Sequence, residues 1–159
     1  QQKEGRRFDL TKEPLYNITD IEKMLPHRYP FLLVDKVMEI TDDSIIGVKN
    51  VTMNEHQFMG HFPGNPVMPG VLQLDAMAHT GGIFSLSKVD DPHLYKTYYM
   101  KIDNVKFKRK VIPGDTIVFE LKLMSPIRRG LVHMGGKGYV NGEICIEAEM
   151  LAQVVKDRG

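Results

Sequence analysis

The sequence predicts an α+β domain in which an antiparallel sheet of about six strands wraps around one long buried helix. The first observation is a run from 71 to about 87 that is apolar on nearly every side and longer than a usual buried strand. The second is a set of strand-like segments separated by short turns. The third is an ordinary composition, 42% hydrophobic and 26% charged over 159 residues, which is typical of one globular domain.

Residues 1–16 are charged and show no hydrophobic periodicity. We therefore expect a tail or linker there, followed by one domain over 17–159. Because the sequence starts with Gln, we also expect a fragment or a processed product of a longer chain.

The first predicted element is a short helix from Ile18 to Leu25, in which apolar residues recur at helical spacing. Thr19 and Glu22 match the spacing of a capping box. Pro26 is expected to end the helix.

Two β-rich segments, 31–40 and 44–52, follow with a short turn between them, which predicts an antiparallel hairpin. Residues 53–70 contain repeated Gly and Pro, so no regular element is expected there. Long ordered loops often carry function, and this loop is therefore a candidate for part of a site.

The buried helix is predicted over 71–87, with Pro69 and Gly70 where it begins. Gly81 and Gly82 each lower helix propensity by about 1 kcal/mol relative to Ala. We therefore expect that another backbone approaches the helix closely at these two positions.

Four further strand-like segments, 98–111, 115–125, 131–140 and 143–155, are predicted to form an antiparallel meander. Asn141-Gly142 is a strong two-residue hairpin signal between the last two. The GGKG run at 135–138 lies between strand-like stretches, where a β-bulge is expected rather than a phosphate-binding loop.

Charge and composition exclude several function classes. The formal net charge of +1 lacks the positive excess expected of a general nucleic-acid binder. No apolar run is long enough to span a bilayer, and the N-terminus lacks the apolar core of a signal peptide, so a soluble cytoplasmic protein is expected. The single Cys145 is expected to be a small buried side chain. The usual metal-ligand and nucleotide motifs are missing, so neither a metal nor a cofactor is expected.

His61 and Asp75 are the candidates for chemistry. His61 lies in the Gly/Pro-rich loop, and Asp75 is an ionisable group on an otherwise apolar helix, where burial without partners is costly. A His and a carboxyl in one apolar pocket can supply a base and an acid near neutral pH. The alternatives are a loop histidine that bonds the backbone and a structural acid that pairs with His79 one turn later.

Six basic residues supply local positive charge: Lys106, Lys108, Arg109, Lys110, Arg128 and Arg129. Lys106, Lys108 and Lys110 occupy alternate positions, with Phe107 between the first two, and are expected to project from one strand face. The group is either a solvated surface or a landing patch for an acidic partner.

Four stretches, LPHRYPFLLVDKV, GHFPGNPVMPGVLQLDAMA, KIDNVKFKRKVIPGD and YVNGEICIEAEM, resemble in the same order the signature stretches of bacterial (3R)-hydroxyacyl-acyl carrier protein dehydratases. The resemblance extends from about Tyr16 to Val155. It implies a hot-dog fold and a dimer whose two sheets join, often assembled into a trimer of dimers. It also implies dehydration of (3R)-hydroxyacyl-acyl carrier protein to the trans-2-enoyl product in type II fatty acid biosynthesis, with the acyl carrier protein as partner.

The resemblance assigns proton removal to His61 and assistance to the leaving hydroxyl to Asp75 of the other subunit. The backbone N–H groups of Gly70 and Val71, at the helix start, are suited to binding the thioester oxygen. The basic residues named above would dock the acidic carrier protein. Five apolar residues are expected to hold the acyl chain in a tunnel or, alternatively, to belong to the core: Phe62, Pro66, Val67, Met68 and Ile83.

Two positions depart from this branch of the family, which usually has Glu in place of Asp75 and Gln in place of His79. Asp at the acid position is typical of the related dehydratase/isomerase branch, which also introduces a cis double bond. That activity is the first alternative. The others are a hot-dog thioesterase and a non-catalytic acyl-binding domain of a larger fused chain, since some family members are joined to the deacetylase of lipid A synthesis.

Overall fold

The computed structural model describes residues 8–156. Within them the elements are α1 (Ile18–Met24), β1 (Lys36–Ile40), β2 (Ser44–Asn50), α2 (Gly70–Ser87), β3 (Tyr95–Phe107), β4 (Thr116–Leu123), β5 (Leu131–Val140) and β6 (Glu143–Lys156). Two short 3₁₀ helices, His56–Met59 and Pro92–Leu94, precede α2 and β3. The strands form one antiparallel sheet in the order β1-β2-β4-β5-β6-β3, and α2 packs against it. The predicted fold class, an α+β hot-dog arrangement, is confirmed.

The cap of α1 differs from the prediction. Asn17 is the N-cap, and its side chain accepts a hydrogen bond from Asp20 N at 3.1 Å, while Asp20 Oδ2 accepts from Asn17 N at 3.0 Å. The predicted capping box of Thr19 and Glu22 was wrong because Ile18 already lies within the first helical turn. A cap must precede that turn, and Asn is among the residues that cap best.

The predicted four-strand meander is wrong for β3. That strand pairs with β6, from Tyr95 opposite Lys156 to Phe107 opposite Ile146, and forms one edge of the sheet. β4 pairs instead with β2 on one side and β5 on the other. The segment 108–115 therefore crosses from the edge to the middle of the sheet. Neighbours in sequence are often, but not always, neighbours in a sheet.

The contact between α2 and the sheet explains two glycines. A Cβ on Gly136 of β5 would lie 2.7 Å from Met77 Sδ, so this position lets the helix lie close to the strand. A Cβ on Gly81 would lie 2.8 Å from the hydroxyl oxygen of Tyr99, which donates a hydrogen bond to the Ala78 carbonyl. The predicted approach of another backbone to Gly81 and Gly82 was therefore wrong, because the nearest groups are side chains, that of Tyr99 at Gly81 and that of Leu25 at Gly82.

The sheet confirms two smaller predictions. The pairing of β5 with β6 shifts register between Gly138 and Tyr139, at the end of the GGKG run, as expected for a bulge. Cys145 is fully buried, and burial raises the pKa of its thiol to about 12. It is therefore a protonated core side chain at neutral pH.

Two contacts join residues 8–16 to the sheet. Tyr16 exchanges backbone hydrogen bonds of 3.0 and 2.9 Å with Val37 of β1, and the ring of Phe8 lies 5.4 Å from the ring of Tyr139. Residues 1–7 and 157–159 lie outside the described residues. Over 8–156, no helix combines the length and the apolarity needed to cross a bilayer.

Candidate active site

The loop between β2 and α2 holds His61 through three hydrogen bonds. Its backbone N donates to Gln57 O at 3.2 Å, its backbone O accepts from Val67 N at 3.1 Å, and its ring Nδ1 lies 2.7 Å from Val67 O. A carbonyl oxygen can only accept, so Nδ1 carries the proton. In the neutral ring, Nε2 is then the atom with a free lone pair, which is what a general base requires.

The loop is not wholly irregular. The 3₁₀ helix His56–Met59 immediately precedes the GHFP sequence at 60–63. Phe58 of that helix is buried in the core, which explains why a short ordered turn forms despite the Gly and Pro that surround it. The expectation of no regular element over 53–70 was wrong at this point.

The start of α2 carries two free backbone donors. Pro69 O accepts from Leu72 N at 3.0 Å and Gln73 N at 3.2 Å, whereas the N–H groups of Gly70 and Val71 have no acceptor within residues 8–156. A Cβ on Gly70 would lie 2.8 Å from the ring of Phe107, so glycine is required for the helix start to lie against the end of β3. The open donors and the positive end of the helix dipole favour a developing negative charge here.

Asp75 lies on the exposed side of α2, where it lines a cavity of about 620 Å³. Partial burial raises the pKa of its carboxyl, and the charge of His27 acts in the opposite direction. A raised pKa favours the protonated form that an acid must have. The cavity also contains residues of α1, of the turn after it and of the first half of β3.

His79 lies in the same cavity, one turn after Asp75. Burial, with a contribution from His27, lowers the pKa of His79 to about 4, so the ring is neutral at pH 7. The Nδ1 atom of His79 is buried and has no hydrogen-bond partner in the described residues. The same is true of the Oγ1 atom of Thr97, which also lines this cavity. In the described part of the chain His79 does not pair with Asp75, which was the structural alternative for the acid.

The structure does not bring His61 and Asp75 to one cavity of a single chain. The lining of the Asp75 cavity includes no residue of the loop 53–69. It does include His27, which no sequence pattern singled out apart from the LPHRYPF motif in which it lies. No group of three or more His, Cys, Asp or Glu side chains that could hold a metal ion occurs between residues 8 and 156.

The five apolar residues named for the acyl chain fall into two groups. Phe62 is half exposed and stacks on the His61 ring with centroids 4.0 Å apart, and Pro66 and Val67 are partly buried. Met68 and Ile83 are fully buried members of the hydrophobic core. None of the five lines the cavity beside Asp75.

The basic residues lie at two separate ends of the sheet. Lys106 is opposite Glu147 of β6, whereas Arg129 precedes β5, whose first residue is opposite Gln153. Six residues of strand separate the two ends, or about 20 Å. Because β3 ends at Phe107, Lys108 and Lys110 lie beyond the strand, and the predicted alternation on one strand face was wrong.

Two of the basic side chains already have acidic neighbours. Lys108 Nζ lies 3.3 Å from Glu147, and Arg109 donates to Glu143 at 3.0 Å. These pairs are partly exposed, so they contribute little to stability but reduce the local positive charge. Lys106 and Lys110 are exposed.

A family model described as the FabA-like domain matches residues 25–149. The bifunctional enzyme LpxC/FabZ of Bacteroides thetaiotaomicron is 52% identical over 95% of this chain, but the chain spans only 33% of that protein. The 3-hydroxyacyl-[acyl-carrier-protein] dehydratase FabZ of Geobacter metallireducens is 46% identical over 92% of this chain and 99% of its own length. The chain thus spans about a third of the bifunctional relatives and nearly all of the single-function one.

Two solved structures share the fold. The dehydratase heterocomplex ApeI:P from Xenorhabdus doucetiae superposes with a TM-score of 0.69 at 15% identity, over 84% of this chain and 89% of that one. A thioesterase from Haemophilus influenzae superposes with a TM-score of 0.62 at 14% identity, over 81% and 82%. At these identities the likeness shows the fold alone.

Proposed function

The chain belongs to the FabA-like domain family, and we propose that it dehydrates (3R)-hydroxyacyl-acyl carrier protein to trans-2-enoyl-acyl carrier protein in type II fatty acid biosynthesis in the cytoplasm. The observation that carries this proposal is the 46% identity to a FabZ dehydratase over 99% of that enzyme's length. The reaction takes a proton from C2 and a hydroxyl from C3 of the thioester, so it requires a base and an acid.

His61 is the base. Its Nδ1–H bond to Val67 O fixes both the tautomer and the direction of the ring, and the free Nε2 lone pair takes the C2 proton. The exposed neighbours of His61, Met59 and Phe62, leave this side of the loop open to a substrate or a second subunit. The structural alternative for His61 was a loop histidine that bonds the backbone. That bond is compatible with catalysis, because it occupies one ring nitrogen and orients the other.

Gly70 and Val71 stabilise the charge that forms. When C2 loses its proton, the electron pair moves towards the thioester oxygen, which becomes negative. The two free N–H groups at the start of α2 donate to that oxygen, and the helix dipole adds to their effect.

Asp75 supplies the proton to the leaving hydroxyl, from a second copy of the chain. In one chain Asp75 and His61 line different surfaces, so the site is complete only when two copies meet. The free edge of β3 is the proposed contact, since the apolar side chains of Tyr98, Met100 and Ile102 are exposed along it. An exposed apolar edge strand favours pairing with another strand. Further assembly into a trimer of dimers is part of the proposal.

The acidic carrier protein docks near the end of β3. Lys106 precedes Phe107 and Lys110 follows it by three residues, and the Phe107 ring lies against the start of α2 at Gly70. The positive charge of the two exposed lysines therefore lies near the proposed oxyanion site in the chain. Arg128 and Arg129 lie at the opposite end of the sheet, about 20 Å away along the strands. We assign docking of the carrier protein to Lys106 and Lys110.

The second candidate function is that of a dehydratase/isomerase, and Asp75 is the residue that favours it. The two activities share the dehydration step and differ in whether the double bond then moves. A thioesterase is disfavoured because hydrolysis needs a water activated at the carbonyl rather than an acid at C3.

The decisive experiment incubates the protein with a (3R)-hydroxyacyl-acyl carrier protein and analyses the acyl group by mass spectrometry and chromatography. Loss of one water with a trans-2 double bond is the expected result. A cis-3 product would establish the isomerase, and a free acid would establish the thioesterase. Bound but unchanged substrate would indicate a non-catalytic acyl-binding domain and refute the proposal.

A further inference from the structure

A buried ion pair lies at the start of the loop that carries His61. Lys49 of β2 is only 5% exposed, and its Nζ lies 2.6 Å from Oε1 of Glu55. We propose that the pair Lys49–Glu55 is a positioning device that fixes the direction of the His61 ring. This inference rests on the proposed function of His61 as the base.

Both oxygens of the Glu55 carboxylate are used. Oε1 contacts Lys49, and Oε2 accepts a hydrogen bond from Thr52 N at 2.8 Å. The side chains of the pair are 6% and 14% exposed, so solvent screens them little. Removing two charges from water is costly, and the loop conformation that brings Glu55 to Lys49 is the one in which each charge regains a partner.

Short hydrogen bonds connect Glu55 to His61. Glu55 O accepts from Phe58 N at 3.2 Å, in the first turn of the 3₁₀ helix, and the buried ring of Phe58 holds that turn in the core. Gln57 O then accepts from the N–H groups of Gly60 and His61. The direction of the imidazole is thus tied to Glu55 through one turn of helix.

The far side of the loop has its own attachment. Met68 N donates to Val111 O at 2.7 Å, and Val67, which precedes it, accepts from the His61 ring. The ring is therefore held between two anchors, Val67 on one side and the turn that Glu55 begins on the other. If the turn that Glu55 begins is released, the His61 ring can lose its hydrogen bond to Val67.

Between the buried side chains of Phe58 and Met68, packing does little to fix the loop in the single chain. Met59 is 78% exposed and Phe62 is 51% exposed, and a Cβ on Gly60 or Gly64 would meet no atom within 4 Å. A buried salt bridge is also a poor device for stability, since apolar replacements of both partners are often neutral or stabilising. The role that remains for Lys49 and Glu55 is to specify one conformation of the loop that carries His61.

The test uses the double variant Lys49→Met/Glu55→Gln, which removes both charges and leaves neither one buried alone. Measurements are Tm, kcat and KM with a (3R)-hydroxyacyl thioester, and the ¹⁵N shifts of the His61 ring, which report the tautomer. The control is Val132→Ala, a buried change on β5 at the end of the sheet away from Phe107. It loses packing but does not touch the loop.

We expect the double variant to remain folded, with kcat lower by at least about tenfold, because displacement of a catalytic group by about 1 Å can cost 100-fold. KM should change by less than about threefold, and the ring should show a mixture of tautomers in place of the single Nδ1–H form. Val132→Ala should lower Tm without changing kcat or the tautomer.

Unchanged kcat and an unchanged tautomer in a folded double variant would overturn the proposal. An equal fall of kcat in Val132→Ala would overturn it as well, because general destabilisation would then explain the loss. Failure of the proposed function is distinguished by the wild-type protein: if it does not turn over the thioester, the ring shifts still decide whether Lys49 and Glu55 position His61.

Discussion

The imidazole rings of His27 and His79 lie against each other, with centroids 4.3 Å apart and planes tilted by 40°. His27 is exposed at the end of the turn that follows α1, whereas the Nδ1 of His79 is buried under it. Both line the cavity that contains Asp75. Burial makes a positive charge on the His79 ring costly and lowers its pKa to about 4.

The first prediction concerns stability in acid. Folding lowers the pKa of His79 from 6.5 to about 4. Between these two pH values the His79 side chain binds a proton in the unfolded chain but not in the folded chain. This contribution to stability is complete above pH 6.5 and is lost as pH falls towards 4, by at most about 3 kcal/mol. Urea unfolding from pH 7.5 to 4.5 should show this slope, and His79→Gln should flatten it.

The control for this experiment is His93→Gln, an exposed histidine at the rim of the same cavity. It should leave the slope as in the wild type. Asp75 acts in the opposite direction, since its raised pKa favours the folded state when the carboxyl is protonated, and it remains present in both variants. Identical slopes in His79→Gln and the wild type would contradict the assignment.

The second prediction concerns the base. His61→Ala should lower kcat at least about 100-fold, since general-base catalysis contributes 10²- to 10⁴-fold. Tm should change little, because His61 lies in a loop outside the core and its ring is partly exposed. Steady-state kinetics and a melting curve on the same sample check this. Retention of more than about a tenth of the activity would show that another group removes the proton.

The third prediction concerns the acid. Asp75→Glu should raise kcat severalfold, because the added methylene moves the carboxyl about 1 to 1.5 Å towards the leaving hydroxyl. Asp75→Asn should abolish turnover with Tm unchanged, since Asp75 is exposed and unpaired with His79. A fall in kcat for a folded Asp75→Glu would indicate a pocket adapted to Asp. A fall in Tm with kcat preserved in Asp75→Asn would indicate a structural acid.

The fourth prediction separates the two basic groups. Lys106→Glu/Lys110→Glu should raise KM for carrier-bound substrate at least about fivefold at low salt, and the effect should shrink as salt screens exposed charges. KM for a small thioester mimic should stay the same. The matched variant Arg128→Glu/Arg129→Glu, at the other end of the sheet, should change neither value. Equal effects of the two variants would place docking elsewhere.

The fifth prediction uses adjacent glycines as a matched pair. Gly81→Ala places a Cβ 2.8 Å from the Tyr99 hydroxyl, whereas Gly82→Ala meets only Leu25 at 3.9 Å. Both gain helix propensity of about 1 kcal/mol. Chemical denaturation should therefore show Gly82→Ala as neutral or stabilised, and Gly81→Ala as destabilised by about 1 to 3 kcal/mol. Equal stabilities would mean that Tyr99 can move aside without cost.

The sequence predicted the elements better than their arrangement. Hydrophobic periodicity and turn residues located α2 and the hairpin of β5 and β6 within a residue, because those signals are local. The place of β3 at the edge could not be predicted, since strand order depends on contacts between distant segments. Likewise, motifs pointed to His61 and Asp75, but the Lys49–Glu55 pair joins residues from different elements and shows no pattern of its own.

The edge position of β3 also constrains how the chain folds during synthesis. This strand has 13 residues, and in the described chain its sheet partner is β6, which ends at Lys156. When β3 leaves the ribosome, β6 has not yet been synthesised, because β4 and β5 lie between the two strands in the sequence. Native pairing of β3 must then join segments far apart in sequence, which is slow compared with local hairpin formation. Until β6 has been synthesised and has paired with β3, the exposed apolar residues of β3 are available for non-native association.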